Sequence, residues 1–152
     1  MALRILPAAP DLLAEWRAVH NEIIPAHPLS QDDVKERAVN QILSVAYDGD
    51  ILIGCATVRP PKEGSPAATV IVRILPPFRR KGLGEKYLEH VLAVARARGA
   101  RQIETAVLAS NEDGLRFAHS HGFVERNRYI LDGETIPFID LRLVTDAPMS
   151  AD

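Results

Sequence analysis

The spacing of apolar residues changes period several times along the chain, and each change predicts an element. A short apolar run from Leu3 to Leu6 reads as a first strand. Pro10 and Asp11 then open a helix whose apolar positions Leu12, Leu13, Trp16 and Val19 follow the helical period. Pro25 and Pro28 break that pattern within residues 21–29. Ser30 with Asp33 three residues later has the spacing of a capping box and starts a second helix through Val34 and Ala38. Residues 42–47 and 51–59, joined at Asp48-Gly49, predict a hairpin, and the β-branched run 68–75 predicts another strand. Leu83, Tyr87, Leu88, Val91, Leu92 and Ala95 then mark one helical face that stops at Gly99. A strand over 102–108 follows, then a short helix capped by Ser110 or Asn111 and ended by Gly122. Strands over 123–131 and 136–144 flank Asp132-Gly133-Glu134 as a closing hairpin. The order β-α-α-β-β-β-α-β-α-β-β predicts a mixed α/β (α+β) domain over residues 1–146. About seven mostly antiparallel strands would form one sheet flanked by about four helices. Residues 147–152 are expected to form a flexible tail.

A chain of 152 residues with 47% hydrophobic content supports one full core. No apolar run approaches the roughly 20 residues of a bilayer span, and the start lacks the apolar core of a signal peptide. The expectation is a cytoplasmic protein with no membrane partner. The single cysteine, Cys55, lies in an apolar stretch and reads as a buried reduced thiol, so neither a disulfide nor any metal site is expected. Charge changes the picture more. The net charge is −2, yet the segment from Arg73 to Arg101 carries eight lysines and arginines against Glu85 and Glu89, which leaves an acidic remainder. Such localisation suits a compact anionic ligand. A nucleic-acid partner is not expected, because only 5% of residues are aromatic and no broad basic face is legible. Arg73, within an apolar strand, is expected to pair with an acid across the sheet, with an anionic acceptor as the alternative partner.

The basic segment contains the most informative run of the chain, Ile74-Leu75-Pro76-Pro77-Phe78-Arg79-Arg80-Lys81-Gly82-Leu83-Gly84. A strand end passes through a basic, glycine-containing turn into a helix. Glycine allows a sharp turn and close backbone approach, and a helix start offers unpaired N–H donors with a partial positive charge. Arg79, Arg80 and Lys81 raise the local potential, so the run reads as a pyrophosphate cradle. Neither Gly-x-x-x-x-Gly-Lys-Ser/Thr nor Gly-x-Gly-x-x-Gly is present, which excludes the usual nucleotide loops.

Arg79-x-x-Gly82-x-Gly84 and the element order resemble the GNAT superfamily of acyl-CoA-dependent N-acyltransferases, of the small-molecule type. Downstream, Asn111, Gly114, Phe117 and the pair Gly122-Phe123 are similar to the family's segment in which Asn contacts the pantetheine arm. The resemblance implies direct transfer of an acetyl group from acetyl-CoA to a primary amine of a small acceptor. It implies a cofactor site at Ile74, Arg79, Arg80, Lys81, Gly82, Leu83, Gly84 and Asn111, with a backbone N–H near Ile74 holding the oxyanion. It also implies edge strands and a last hairpin able to form a homodimer. Two departures stand out. The position usually held by the tyrosine that protonates the leaving thiolate is Ala118, with Ser110, His119, His121 and Tyr129 nearby in sequence, and the strand over 68–75 has no Asp, Glu or His to act as base. The loop after the first helix carries His20, Glu22 and His27, of which Glu22 and His27 are the candidate bases, and Glu104 is a lesser one. The acidic remainder of the chain points to a cationic acceptor. The competing expectation is a non-catalytic acyl-CoA-binding or regulatory module, for which Ala118 and the acid-free strand speak.

Overall fold

The computed structural model describes residues 3–144; the tail expected over 147–152 lies outside them. The strands are β1 (Leu3–Pro7), β2 (Ile42–Asp48), β3 (Ile51–Arg59), β4 (Ala67–Ile74), β5 (Gln102–Leu108), β6 (Phe123–Tyr129) and β7 (Phe138–Leu143). The helices are α1 (Leu13–Ile23), α2 (Gln31–Asn40), α3 (Leu83–Ala97) and α4 (Glu112–Ser120). The seven strands form one sheet in the order β1-β2-β3-β4-β5-β7-β6. Every neighbouring pair is antiparallel except β4 and β5. The class and element order predicted from periodicity are those observed. The closing strands are shorter than expected, because residues 130–137 leave the ladder around Gly133, whose φ is +83°.

Local chemistry explains the boundaries. Ser30 Oγ accepts from the Asp33 N–H at 3.0 Å while Asp33 Oδ2 accepts from the Ser30 N–H at 2.9 Å, a complete capping box that starts α2. Strand alternation then divides the side chains of β3 and β4 between two layers. Cys55 pairs with Arg73, Thr57 with Ile71 and Arg59 with Thr69, so these six side chains share one face. Cys55 lies there in a core with Trp16, Val19 and Val34 of α1 and α2. Ala56, Val58, Val70 and Ile74 face the other way, against Leu83, Tyr87 and Val91 of α3. Trp16 is fully buried, and its Nε1–H donates to the Ala56 carbonyl at 3.0 Å, which ties α1 to the middle of the sheet.

One irregularity organises everything that follows. β4 and β5 pair only at Ala67–Gln102, Ala68–Ile103 and Thr69–Glu104, after which the two parallel strands separate. Leu75 N–H donates to the Ile53 carbonyl, so on the alternating ladder Arg73 and Ile71 bond toward β3 and the amides of Val72 and Ile74 face the gap. No helix among the described residues is long and apolar enough to cross a membrane.

Candidate active site

The gap opens into two cavities. The first, about 490 Å³, lies beyond the end of β4. Pro76 and Pro77 end the strand in a 3-10 turn, and Arg80 (φ +66°) and Gly82 (φ +80°) both take left-handed backbone before α3 begins. Left-handed residues in a tight turn bring successive amide N–H groups to one side, and the first-turn amides of α3 have no partner one turn back. Gly82 is the N-cap, and a Cβ built there would meet nothing within 4 Å. The side of the turn is therefore open to a ligand. Gly84 instead packs closely, since a Cβ would come within 3.1 Å of Phe117 Cε1.

Six of the residues expected at the cofactor site line this cavity: Ile74, Arg79, Arg80, Gly82, Gly84 and Asn111. Lys81 and Leu83 are not among its lining residues. Lys81 Nζ sits 6.0 Å from the centroid of the Phe78 ring, and the Leu83 side chain is buried in the core, which leaves only its backbone N–H at the helix start. Arg79 is fixed from both ends: Nε donates to the Ile74 carbonyl at 2.8 Å and Nη1 to Asp113 Oδ2 at 2.9 Å. Asp113 also accepts from Arg116 Nη1 at 2.8 Å and lies 3.7 Å from Arg80 Nη2. The bonds from Arg116 and Arg79 hold its carboxyl below the usual carboxylate range. Three guanidiniums around one carboxylate leave positive charge over, which suits a diphosphate placed against the turn. Asn111 caps α4, with Oδ1 accepting from the Gly114 N–H at 3.0 Å, and it lines both cavities.

The second cavity, about 270 Å³, lies between residues 70–73 of β4 and 105–108 of β5. His20, His27, Arg37, Arg59, Tyr129 and Phe138 are among the residues that enclose it, and Val72, Arg73, Asn111, Gly114 and Phe117 line both cavities. His20 is 3% exposed and stacks on Trp16 at 5.4 Å between centroids. Its Nδ1 is 2.9 Å from Asn21 Oδ1, an oxygen that also accepts from the Leu29 N–H, while Asn21 Nδ2 donates to the Leu29 carbonyl. That network assigns the proton to Nδ1 and leaves the lone pair on Nε2. Burial, reinforced by the field of Arg73, lowers the His20 pKa to about 4, so the ring is neutral near pH 7.

The expected bases fare differently. Glu22 is exposed on α1 and lines neither cavity. Its position on the outer face of an amphipathic helix corrects the expectation that it reaches the acceptor. His27 does line the second cavity, with Nε2 3.3 Å from Glu134 Oε1 and its ring tilted against Phe138. Glu104 is held by Arg126 and Arg142, each at 2.8 Å. Ala118 is buried at the cavity wall and brings no hydroxyl, whereas Tyr129 does; burial raises the Tyr129 pKa, with Asp140 adding to the effect. The sequence by itself does not single out His20 over its neighbours. Its four-residue spacing from Trp16 on the apolar face of α1 was the available signal. Arg73 makes no ion pair among the described residues, contrary to the pairing expected for it. It sits opposite Cys55, whose thiol burial pushes up to about 12.

The sheet thus opens between a basic, glycine-edged cavity and a second, smaller one. The chain belongs to the acetyltransferase (GNAT) family, whose family model matches residues 9–123. Among curated relatives, it is 32% identical over 88 residues to N-alpha-acetyltransferase 50 of Danio rerio, covering 56% of this chain and 52% of the relative. The chain thus spans about half the length of that relative. Among solved structures, yncA of Salmonella typhimurium with its cofactor acetyl-CoA superposes with a TM-score of 0.75 at 18% identity, covering 100% of this chain and 99% of that one. A provisionally assigned phosphinothricin N-acetyltransferase gives 0.77 at 23% identity, with 93% and 97% covered. At these identities the likeness is one of fold.

Proposed function

We propose that this chain transfers the acetyl group of acetyl-CoA directly to the primary amine of a small acceptor. One observation carries the reading: the gap between β4 and β5 joins a basic, glycine-edged cavity to a second, smaller one. In this reading the turn from Arg79 to Gly84 holds the pyrophosphate, with Lys81 flanking it and the Leu83 amide among the donors. The pantetheine arm lies along the gap past Asn111. The amides of Val72 and Ile74 then face the thioester carbonyl, where they stabilise the oxyanion that forms on attack. Neutral His20, with its lone pair on Nε2, accepts a proton from the attacking amine, directly or through water. His27 remains the second proton acceptor on the same wall. The donor to the departing thiolate is left to Tyr129 or water, since Ala118 has no proton to give. Holding two substrates in one gap supplies most of the rate advantage.

The modest volume of the second cavity, about 270 Å³, supports a small acceptor. Measuring free-CoA release across an amine panel, with acetyl-CoA binding followed separately, tests the proposal. Ala118 favours a second reading, a non-catalytic acyl-CoA-binding module. Binding of acetyl-CoA without release on any amine would replace the first reading by the second.

A further inference from the structure

Five arginines of this chain are partly buried among the described residues: Arg37, Arg59, Arg73, Arg79 and Arg142. Two of them hold carboxylates, Arg79 on Asp113 at 2.9 Å and Arg142 on Glu104 at 2.8 Å. The other three make no ion pair within 4.0 Å among the described residues, and all three line the second cavity. They arrive from separate elements, Arg37 from α2, Arg59 from the end of β3 and Arg73 from β4. Arg59 Nε and Arg73 Nη1 are buried with no hydrogen-bond partner. An unpaired buried donor on a cation is among the costlier things a fold can keep, and three guanidiniums in one cavity add mutual repulsion. Each other ionisable group facing them leaves the imbalance standing. His20 is neutral and His27 is turned to Glu134, while Asp33, one helical turn before Arg37, and Asp140 on β7, which acts on both Tyr129 and Arg59, lie beyond ion-pair distance of these arginines and outside the cavity lining.

We propose that the second cavity binds an acceptor whose amine is accompanied by an oxyanion, a carboxylate, phosphonate or phosphinate, held by Arg73 and Arg59 with Arg37 flanking. The proposal rests on the acetyltransferase reading and specifies its acceptor. It also reverses the cationic acceptor suggested by the overall charge: net charge is summed over the whole surface, whereas a ligand meets only the groups lining its cavity. The oxyanion satisfies the orphaned donors and ends the repulsion between the guanidiniums, so its binding is worth more here than on a solvated surface. It also fixes the orientation of the molecule, leaving the amine at the end of the cavity shared with the cofactor, where Val72, Asn111 and Phe117 line both spaces. Burial, with repulsion from Arg37 and Arg59, holds Arg73 below the ordinary guanidinium value, as expected of a cation that lacks its counter-charge.

Amines with and without the oxyanion test it: amino acids against their near-isosteric amides, and 2-aminoethylphosphonate against ethanolamine. Calorimetry reads binding to the protein loaded with CoA, and free-CoA release from acetyl-CoA reads turnover. The anionic member of at least one pair should bind about 10- to 100-fold tighter than its neutral partner. Arg73→Gln should erase that preference and raise KM for the anionic amine. Arg59→Gln, at the strand end, provides the same readout should Arg73→Gln not fold. Amides or ethanolamine binding as well as the anionic partners, in protein that still binds acetyl-CoA, would overturn the proposal. Anionic preference by calorimetry without CoA release would leave it standing and break the acetyltransferase reading instead.

Discussion

Two groups of arginines lie on either side of the gap, and they are built in opposite ways. Around the cofactor cavity, Arg79, Arg80 and Arg116 converge on Asp113, so each has a carboxylate before any ligand arrives. Around the second cavity, Arg37, Arg59 and Arg73 make no ion pair among the described residues, and no carboxylate lines the space between them. The first group is half exposed, and solvent screens it. The second is drier, so the same charges act on one another and on His20. The difference teaches that a count of basic residues does not locate a binding site. What matters is whether the fold has already supplied the counter-charge.

The largest expected effect tests the dry side. A histidine pKa lowered on folding, here from 6.5 to about 4, means that the unfolded chain binds the proton more tightly. Stability is therefore complete above about pH 6.5 and falls as pH drops toward 4, by up to roughly 3 kcal/mol from this one group. Thermal unfolding midpoints across that window should fall less in His20→Gln than in the wild type. An equal fall in both would mean that His20 carries no such strain. An anionic amine bound at Arg73 should also raise the His20 pKa, since it offsets the second-largest cause of the lowering; the imidazole resonances in an NMR titration would report it.

On the wet side, Gly82→Asp should weaken acetyl-CoA binding by about 100-fold, because it puts a carboxylate at the cradle and an L side chain at φ +80°. Unchanged affinity in a folded variant would sink the cradle. Between the two regions, Ala118→Tyr fills space at the wall of the acceptor cavity. It should raise KM for the amine about tenfold with little change in acetyl-CoA binding, and a rise in kcat instead would reveal a missing acid. The smallest effect is expected from Asp113→Asn. Releasing Arg79, Arg80 and Arg116 should tighten acetyl-CoA binding by only a few-fold, as befits partly exposed pairs, and a marked loss would mean that Asp113 positions the arginines rather than competes for them.

The fold was legible because its signals are local. The capping box at Ser30, the hairpin at Asp48-Gly49 and the apolar face of α3 each depend on residues within one turn or one strand of each other. The turn from Arg79 to Gly84 was legible for the same reason. Asn111 is singled out by its place ahead of Gly114 and Phe117, and in the structure its oxygen is engaged as a helix cap. Helical phase carried to the end of α1 puts Glu22 on the exposed side. His20 is not legible in sequence, because a histidine there carries no sign of its tautomer or burial.

By itself, the sequence determined the order of elements, the basic turn and the absence of a tyrosine at position 118, all of them matters of neighbours along the chain. Only the tertiary structure decided that β4 and β5 part after three pairs, that Arg37, Arg59 and Arg73 meet in one cavity with no carboxylate in its lining, and that the charge lining that cavity is opposite to the net charge of the chain. The reason is physical: electrostatic energy depends on distance and burial, and residues 37, 59 and 73 acquire both only when α2, β3 and β4 come together around one cavity.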